Sequence, residues 1–362
     1  MLRLAARVAS TLALASALAL SVTTPALADP PQPASTDIVG VGAEVTELLF
    51  NRFSTDYNAS LAAAGDTTSP RLYSWDSTGP SPIVTKTGAT AISRPDSADS
   101  GINALNNTTS ATVDFARTGR APRDGDLTTT LFIGLAKDAV SWAAPTGGNA
   151  PANLTTFQLR QIYTCQVTNW QQLDPSLPDA TIRPVVAGHA FVNQSGVHGS
   201  TMDSTAFFLQ ALGYATAIGN DPWTDHSCVT VVDRENQGTD AVLRDPNAIV
   251  PYSVGRYVGQ AQFGHTRPGD EPGLLVPRSI DGVRSVDTVT RTIDYTFATT
   301  PYARILFNAV RKADWTATDA HGKALRGIFG TNGWVCKRSE SVAALKEHGF
   351  MQIPSCGVTF HI

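Results

Sequence analysis

The sequence lacks three features that mark common functional classes. Outside the first 28 residues no apolar run is long enough to cross a bilayer, which argues against an integral membrane protein. Lysine and arginine do not gather on one face and the formal net charge is −4, so the basic surface that nucleic-acid binding requires is missing. No G-x-S-x-G motif occurs, so the nucleophile elbow of many serine hydrolases is absent as well.

The start of the chain has the pattern of a secretory signal peptide. Two arginines precede an apolar run from 12 to 22, and the Ala-Leu-Ala of 26–28 offers small residues for cleavage after Ala28. No cysteine follows that run, so a lipid anchor is not expected. Residues 29–35 are Pro-rich and are interpreted as a tether outside the core, with attachment to the cell wall left open. The sequence therefore predicts a secreted, extracellular protein.

Cysteine is scarce, and its four positions are Cys165, Cys228, Cys336 and Cys356. An even number of cysteines in an exported chain favours two disulfides. Nearness along the chain favours the pairs Cys165–Cys228 and Cys336–Cys356 among the three connectivities. A tetrahedral zinc site is the alternative interpretation, but it is disfavoured because no C-x2-C pair exists.

Strands that end in polar turns alternate with helices in the first third of the chain. The stretch TDIVGVGAEVTELLF (36–50) changes from a buried strand to a helix near Gly42, after which apolar residues recur at three- and four-residue spacing. Short strands over 71–75 and 112–115 follow. This alternation predicts an α/β domain with a largely parallel sheet, whose ligands lie beyond the carboxyl ends of the strands.

Several segments resemble the phosphate-type solute-binding proteins of ABC importers, in the secreted form common in actinobacteria. GVGAEVT (40–46) is similar to the family's first ligand-binding turn, and TVDFARTGRAP (112–122) to its second-strand motif. LTTFQLRQIYTCQVTNW (154–170) resembles its helix-then-Asn-Trp signature. DPNAIVPYSVGRY (245–257) resembles the return between lobes, and VCKRSESVAALKEHGFMQIPSCG (335–357) the cysteine-bracketed tail. The resemblance implies a type II periplasmic-binding-protein fold, with a ligand cleft between two α/β lobes.

The same resemblance implies boundaries and a role. Lobe 1 takes residues 36–135 and 246–362, and lobe 2 takes 136–245, so that each expected disulfide stays within one lobe. The implied function is capture of a small polar ligand, phosphate or another oxyanion, by a monomer that serves an ABC permease without a cofactor. A secreted interaction protein that keeps the fold but has no transport role is the alternative.

Three turns combine glycine, serine or threonine with a helix start, at 43–46, 76–79 and 195–201. Backbone N–H groups there are unpaired donors at the positive end of the helix dipole, which suits an oxyanion. Capping alone explains any one of them, and their convergence in one fold predicts a ligand site. The expected ligand-binding residues are Ala43, Glu44, Thr46, Asp76, Ser77, Thr78, Arg117, Thr118, Arg120, Ser195, Gly196, Ser200 and Thr201.

Departures from the family pattern bear on the ligand. Phosphate binders of this fold use an Asp after the Asp-Phe motif, whereas no carboxylate lies between positions 114 and 124 here. They also place an Arg where this chain has Gly188, and a Thr where it has Glu44. A like charge about 4 Å from a bound anion repels it by roughly 4 kcal/mol in a surface-like dielectric. Arg117 or Arg120 would have to neutralise Glu44 for phosphate to bind.

Two histidines raise the question of catalysis. His189 and His198 flank Ser195, and Asp203 follows, which offers the residue types of a Ser-His-Asp set. That chemistry needs a base within hydrogen-bond reach of the nucleophile, and nothing in the spacing places either histidine there. Metal binding by the two histidines lacks an evident third ligand. We therefore expect a protein that is not an enzyme and holds no metal.

Overall fold

The computed structural model describes residues 29–193, 196–213 and 227–361. The predicted signal peptide and Ser195 lie outside these ranges. The helices are α1 (Glu47–Ala63), α2 (Ala98–Asn107), α3 (Thr156–Tyr163), α4 (Asp203–Ala211), α5 (Val254–Phe263), α6 (Lys312–Thr316), α7 (Ala320–Phe329), α8 (Trp334–Lys337) and α9 (Ser339–Glu347). The strands are β1 (Ile38–Gly42), β2 (Leu72–Ser74), β3 (Phe115–Thr118), β4 (Thr130–Pro145), β5 (Asn153–Leu154), β6 (Arg183–Asn193), β7 (Gly196–Thr201), β8 (Thr230–Val232), β9 (Ala248–Ser253), β10 (Leu275–Pro277), β11 (Ser279–Ile280), β12 (Val286–Asp287), β13 (Thr292–Ile293), β14 (Ala303–Arg311) and β15 (Thr359–Phe360).

One large sheet runs through the described part of the chain in the order β2-β1-β3-β14-β4-β9-β6-β7, with β8, β10 and β15 at its sides. Strand β1 pairs in parallel with β2 and β3, as the strand–helix alternation predicted. Strand β14 then pairs antiparallel with both β3 and β4. At the other end of the sheet β6 pairs in parallel with β8 and β9. The sheet is therefore mixed, and the prediction of a largely parallel sheet holds for pairs in each lobe but not for the antiparallel strands between them.

Strand β4 contributes to the main hydrophobic core of each lobe. Its residues Leu131, Ile133, Leu135 and Ala136 pack with Phe115 and the apolar face of α1. Its residues Ala139, Val140, Trp142 and Ala144 pack with Trp170 and α3. The pairing of β4 with β14 shifts register between Leu306 and Phe307, near the point where one core gives way to the other. Two cores joined by crossing strands make a two-lobed molecule, which confirms the fold class predicted from the sequence.

Contacts after residue 246 bear on the predicted return of the chain to the first lobe, and we propose a later position for it. Strand β9 pairs with residues 140–143 of β4 and with β6, in the middle of the second lobe's sheet. Ile280, Phe297 and Tyr302 also pack in the core around Trp170. These contacts hold β9 and residues 280–302 in the second lobe, whereas Arg267, between them, pairs with Glu47 and Asp76 of the first lobe. We propose that the chain returns fully to the first lobe along β14.

The segment at 29–35 is attached to the first lobe and does not hang free as a tether. The carbonyl oxygen of Pro33 accepts hydrogen bonds from the N–H and hydroxyl of Thr87 at 2.8 and 3.0 Å. The Asp29 carboxylate forms an ion pair of 2.6 Å with Arg94. Proline lowers the flexibility of a segment, but it leaves carbonyl oxygens as acceptors, and these contacts were not predicted.

The structure contains the two expected disulfides, Cys165–Cys228 and Cys336–Cys356. The first joins the end of α3 to the start of β8 in the second lobe, and the second joins α8 to the segment before β15 in the first lobe. Neither disulfide crosses between the lobes. Among the described helices none is both long enough and apolar enough to span a membrane.

Close packing at Gly40 gives a first prediction. A Cβ on Gly40 would lie 2.1 Å from Cζ of Phe115, whose ring is held by Phe50 and Phe329 at centroid distances of 5.3 and 4.9 Å. We expect Gly40→Ala to lower the free energy of unfolding by about 1–3 kcal/mol or more, because an overpacked core must shift. Urea denaturation measures this change.

Gly327 in α7 is the matched control, because a Cβ there meets no atom within 4 Å. Gly327→Ala should leave the protein unchanged or stabilise it by about 0.5–1 kcal/mol, as expected when a helix loses a glycine. Equal effects of the two substitutions would contradict the packing described around Phe115.

Candidate functional site

The turn after β1 depends on a glycine. Gly42 has φ +108°, and a Cβ there would lie 2.7 Å from the carbonyl oxygen of Arg117. The next N–H, of Ala43, donates to that same oxygen at 3.1 Å. A 3-10 turn, Glu44–Thr46, then leads into α1. This geometry carries Glu44 from the end of a buried strand to the gap between the lobes.

Arg117 ties the ends of neighbouring strands together. Its guanidinium donates to the carbonyl oxygens of Gly42, Ala43 and Trp75 at 2.7, 3.1 and 2.9 Å, and also to the Ser74 hydroxyl. The side chain is fully buried, and burial lowers the pKa of Arg117 to about 10. Arg117 was expected to neutralise the charge of a ligand. In the structure its guanidinium N–H groups instead donate mainly to backbone carbonyl oxygens.

Arg120 and Thr118 also turn away from the gap. The Arg120 guanidinium pairs with Asp99 at 2.7 Å and with Asp126 at 2.7 Å, both in the first lobe. The Thr118 hydroxyl is buried and donates to the Arg120 carbonyl at 3.1 Å. The structure therefore does not bring the expected charge partner Arg120 to Glu44.

The turn after β2 is bound by an acid from α1. Both the N–H and the hydroxyl of Ser77 donate to Oε2 of Glu47, at 2.7 Å each. Asp76 is buried, accepts from the Asn51 amide at 2.8 Å and pairs with Arg267. The Ser77 donors that were expected to hold a ligand therefore already have an acceptor within the chain.

Helix α4 of the second lobe is bound by acids at its start. Asp203, its first residue, accepts hydrogen bonds from the N–H groups of Ala98 and Gly119 in the first lobe, at 3.2 Å each. The buried carboxylate of Glu235 accepts from the N–H groups of Ser204 and Thr205, at 2.5 and 3.0 Å. A carboxylate at a helix N-terminus satisfies unpaired donors and the helix dipole together.

The predicted turn at 195–201 has a different structure. Gly196–Thr201 form strand β7, which pairs antiparallel with β6, so that Gly188 lies opposite Thr201. Alternating Val197, His198 and Gly199 suit an extended hairpin strand, and the helix begins only after Met202. The prediction of a helix-start turn over Gly196, Ser200 and Thr201 was therefore wrong, and Ser195 lies outside the described residues.

A cavity of about 350 Å³ lies between the lobes. It is lined by Glu44, Ser77, Thr78, Gly79, Ser81, Arg94 and Asp96 of the first lobe and by Met202, Asp233 and Arg234 of the second. Of the residues expected to bind a ligand, Glu44, Ser77 and Thr78 meet at this cavity. Ala43, Thr46 and Asp76 are buried beside them in the chain.

Glu44 joins the lobes across this cavity. Its Oε1 pairs with Arg234 at 2.9 Å, and its Oε2 has no hydrogen-bond partner among the described residues. Burial raises the pKa of Glu44 to about 7, an effect that Arg234 opposes and that Asp270 and Glu235 reinforce. Burial likewise raises the pKa of Glu235 to about 7. The site thus combines buried acids with one cross-lobe ion pair.

The sequence analysis did not identify several residues that line the cavity, although two of them follow a recognisable sequence pattern. Asp233 and Arg234 follow the apolar run VTVV (229–232), which is a strand that ends in a polar turn like those after β1 and β2. Arg94 has no such pattern around it, and its position depends on contacts with Asp29 and Pro80. Within the described ranges no group of three or more His, Cys, Asp or Glu side chains is arranged to hold a metal ion.

No protein-family model and no curated protein matches the chain, but solved structures do. An ABC-type phosphate transport receptor from Vibrio cholerae is 15% identical with a TM-score of 0.55, covering 88% of this chain and 100% of its own. The chain has the two-lobed fold of the phosphate-binding proteins. A phosphate-binding protein from Stenotrophomonas maltophilia (12% identity, TM-score 0.51) and an ancestral soluble variant of the human phosphate-binding protein (14%, 0.52) each cover 88% of this chain and 91% of their own. At such identities the similarity to the phosphate-binding proteins establishes the fold alone.

The Arg117 contacts give a second prediction. Arg117→Met would leave the carbonyls of Gly42, Ala43 and Trp75 without these donors, and each buried unpaired group costs about 1–3 kcal/mol. We expect the free energy of unfolding to fall by at least about 3 kcal/mol. Arg52→Met, which removes an exposed pair with Asp56, should cost about 0.5 kcal/mol or less. Unchanged stability of the Arg117 variant would contradict this structural role and would favour the role of Arg117 as a ligand contact that the sequence predicted.

The buried acids give a third prediction, on pH. The pKa of Glu44 is raised from 4.5 to about 7, so the folded state binds this proton more tightly than the unfolded state. The contribution of Glu44 to the free energy of unfolding is therefore fully present below pH 4.5 and is lost as the pH rises towards 7. Each such group contributes a slope of at most about 1.4 kcal/mol per pH unit. Glu44→Gln should flatten the fall between pH 5 and 7 in urea denaturation, whereas Glu340→Gln, at an exposed position on α9, should not.

Proposed function

We propose that the protein is a secreted solute-binding protein that holds a small polar ligand between its two lobes. The observation that supports this most directly is the cavity of about 350 Å³ lined by polar residues from both lobes. That volume suits a small metabolite, because ligand sites for drug-sized molecules begin near about 300 Å³. The cavity also lies beyond the ends of β1, β2 and β8, where ligands of open α/β sheets bind.

Delivery to an ABC-type importer extends this proposal. Its support is the shared fold, since the Vibrio cholerae neighbour is described as an ABC-type phosphate transport receptor. A ligand bound by both lobes would stabilise one relative orientation of the lobes, which a permease could recognise. Phosphate and other oxyanions, the ligands expected from the sequence, belong in the test because Arg94 and Arg234 line the cavity.

An interaction protein without a transport role is the second candidate, and one observation favours it. Arg234 pairs with Glu44 at 2.9 Å, and Asp203 binds Ala98 and Gly119 at 3.2 Å, so the chain's own side chains join the lobes. Genes for a permease and an ATPase beside the coding sequence would favour the transport role. Their absence would favour the interaction protein.

Ligand binding at the cavity is the fourth prediction. The purified chain should show a higher Tm with at least one solute in a panel of inorganic anions, amines, amino acids and sugars, because a ligand at about 100 times its Kd adds about 2.7 kcal/mol of stability. Thr78→Trp, which fills the cavity, should abolish that increase. Thr290→Trp, at an exposed turn, should retain it.

Two outcomes would count against the solute-binding proposal. One is that no solute in the panel changes the Tm of the wild-type protein. The other is that binding survives Thr78→Trp, which would place the ligand outside the cavity between the lobes.

A further inference from the structure

We infer that the cavity selects a small solute with an ammonium or similar cationic donor group, accepted by Glu44, and that Asp203 and Glu235 exclude free oxyanions. The inference rests on the proposed solute-binding role and adds the chemical class of the solute. Its basis is the way in which the chain's own carboxylates occupy donors that an anion would need.

The first step concerns the backbone donors around the cleft. Asp203 accepts from the N–H groups of Ala98 and Gly119, at the start of α2 and the end of β3. Glu235 accepts from two N–H groups at the start of α4. An oxyanion that used these four N–H groups would have to displace a carboxylate from each pair.

The second step concerns charge. The cavity is lined by three carboxylates and two guanidinium groups, from Glu44, Asp96, Asp233, Arg94 and Arg234. Both guanidinium groups have a carboxylate partner, because Arg94 pairs with Asp29 at 2.6 Å and Arg234 pairs with Glu44 at 2.9 Å, while the buried Nε of Arg234 has no hydrogen-bond partner among the described residues. An added anion near Glu44 would meet a like charge, which at about 4 Å opposes it by roughly 4 kcal/mol in a surface-like dielectric.

The third step concerns an acceptor that lacks a donor. Glu44 is 4% exposed, and its Oε2 is buried without a hydrogen-bond partner among the described residues. Buried carboxylate oxygens in folded proteins almost always have a partner, so an orphan at a cavity wall indicates a missing donor. A cationic donor would pair with Oε2 and offset the excess of negative charge around it.

The other charged groups around Glu44 also favour a cationic ligand over an anionic one. Arg234 lowers the pKa of Glu44, whereas the nearby acids Asp270 and Glu235 and the burial of the side chain raise it to about 7. A bound cation would favour the charged form of Glu44 and add to the attraction. A bound anion would disfavour that form and strain the ion pair with Arg234.

Titration calorimetry on the full mature chain tests the inference, which is the fifth prediction. The probes are 1,4-diaminobutane, ethanolamine, glycine, glucose, phosphate and sulfate. We expect an amine-bearing probe to bind wild-type protein at least tenfold more tightly than phosphate or sulfate. Glu44→Gln should weaken amine binding at least tenfold, and Glu340→Gln, which removes an exposed acid on α9, should leave it unchanged.

Asp203 provides the complementary variant. Asp203→Ser removes the carboxylate that Ala98 and Gly119 contact, so this variant should bind phosphate at least tenfold more tightly than wild type. Asp203→Asn keeps an acceptor without the charge and serves as the folded reference if the serine variant is unstable. It should bind phosphate more tightly than wild type by a smaller factor.

The outcomes separate this inference from the proposed function. Binding of glucose, phosphate or sulfate in preference to every amine would overturn the inference and leave the solute-binding role intact. Unchanged amine affinity in Glu44→Gln would also overturn it. Binding of no probe by the wild-type protein, together with no response in the wider panel, would overturn the proposed function itself.

Discussion

Carboxylates that the chain supplies to its own backbone donors organise the gap between the lobes. Asp203 and Glu235 meet N–H groups at helix starts, and Glu47 meets the Ser77 turn. A buried amide without a partner costs several kcal/mol, so these contacts stabilise loops that would otherwise need water or an ion. The Asp203 contacts also hold the two lobes together through the chain's own groups.

Arg117 complements these acids at the ends of β1 and β2. Its guanidinium holds the carbonyl oxygens of Gly42, Ala43 and Trp75, so the ends of β1 and β2 are fixed by a cation. Acids therefore satisfy donors, and an arginine satisfies acceptors, at adjacent strand ends. Together they give the turn at Glu44 a defined geometry before any ligand arrives.

The fold could be predicted because its signals are local. The change of pattern at Gly42 and the cap at Asn169 before Trp170 each depend on a few neighbouring residues. The site was harder to predict, because residue type does not reveal which partner a side chain finds. Arg117 was expected to face a ligand, yet three carbonyls that only the folded sheet brings together engage it. Asp203 was considered only as the acid of a Ser-His-Asp set, because its actual partners lie 105 and 84 residues away.

The first turn of α4 links the gap to the place where the chain crosses between lobes. Ser204, next to Asp203, accepts a hydrogen bond of 2.8 Å from Arg304, and Arg304 pairs with Asp138 of β4 at 2.9 Å. Because Asp203 and Ser204 are adjacent in the first turn of α4, a displacement of that turn away from Ala98 would also act on the contact with Arg304. The contact between the lobes and the buried ion pair on the crossing strands are thereby mechanically coupled.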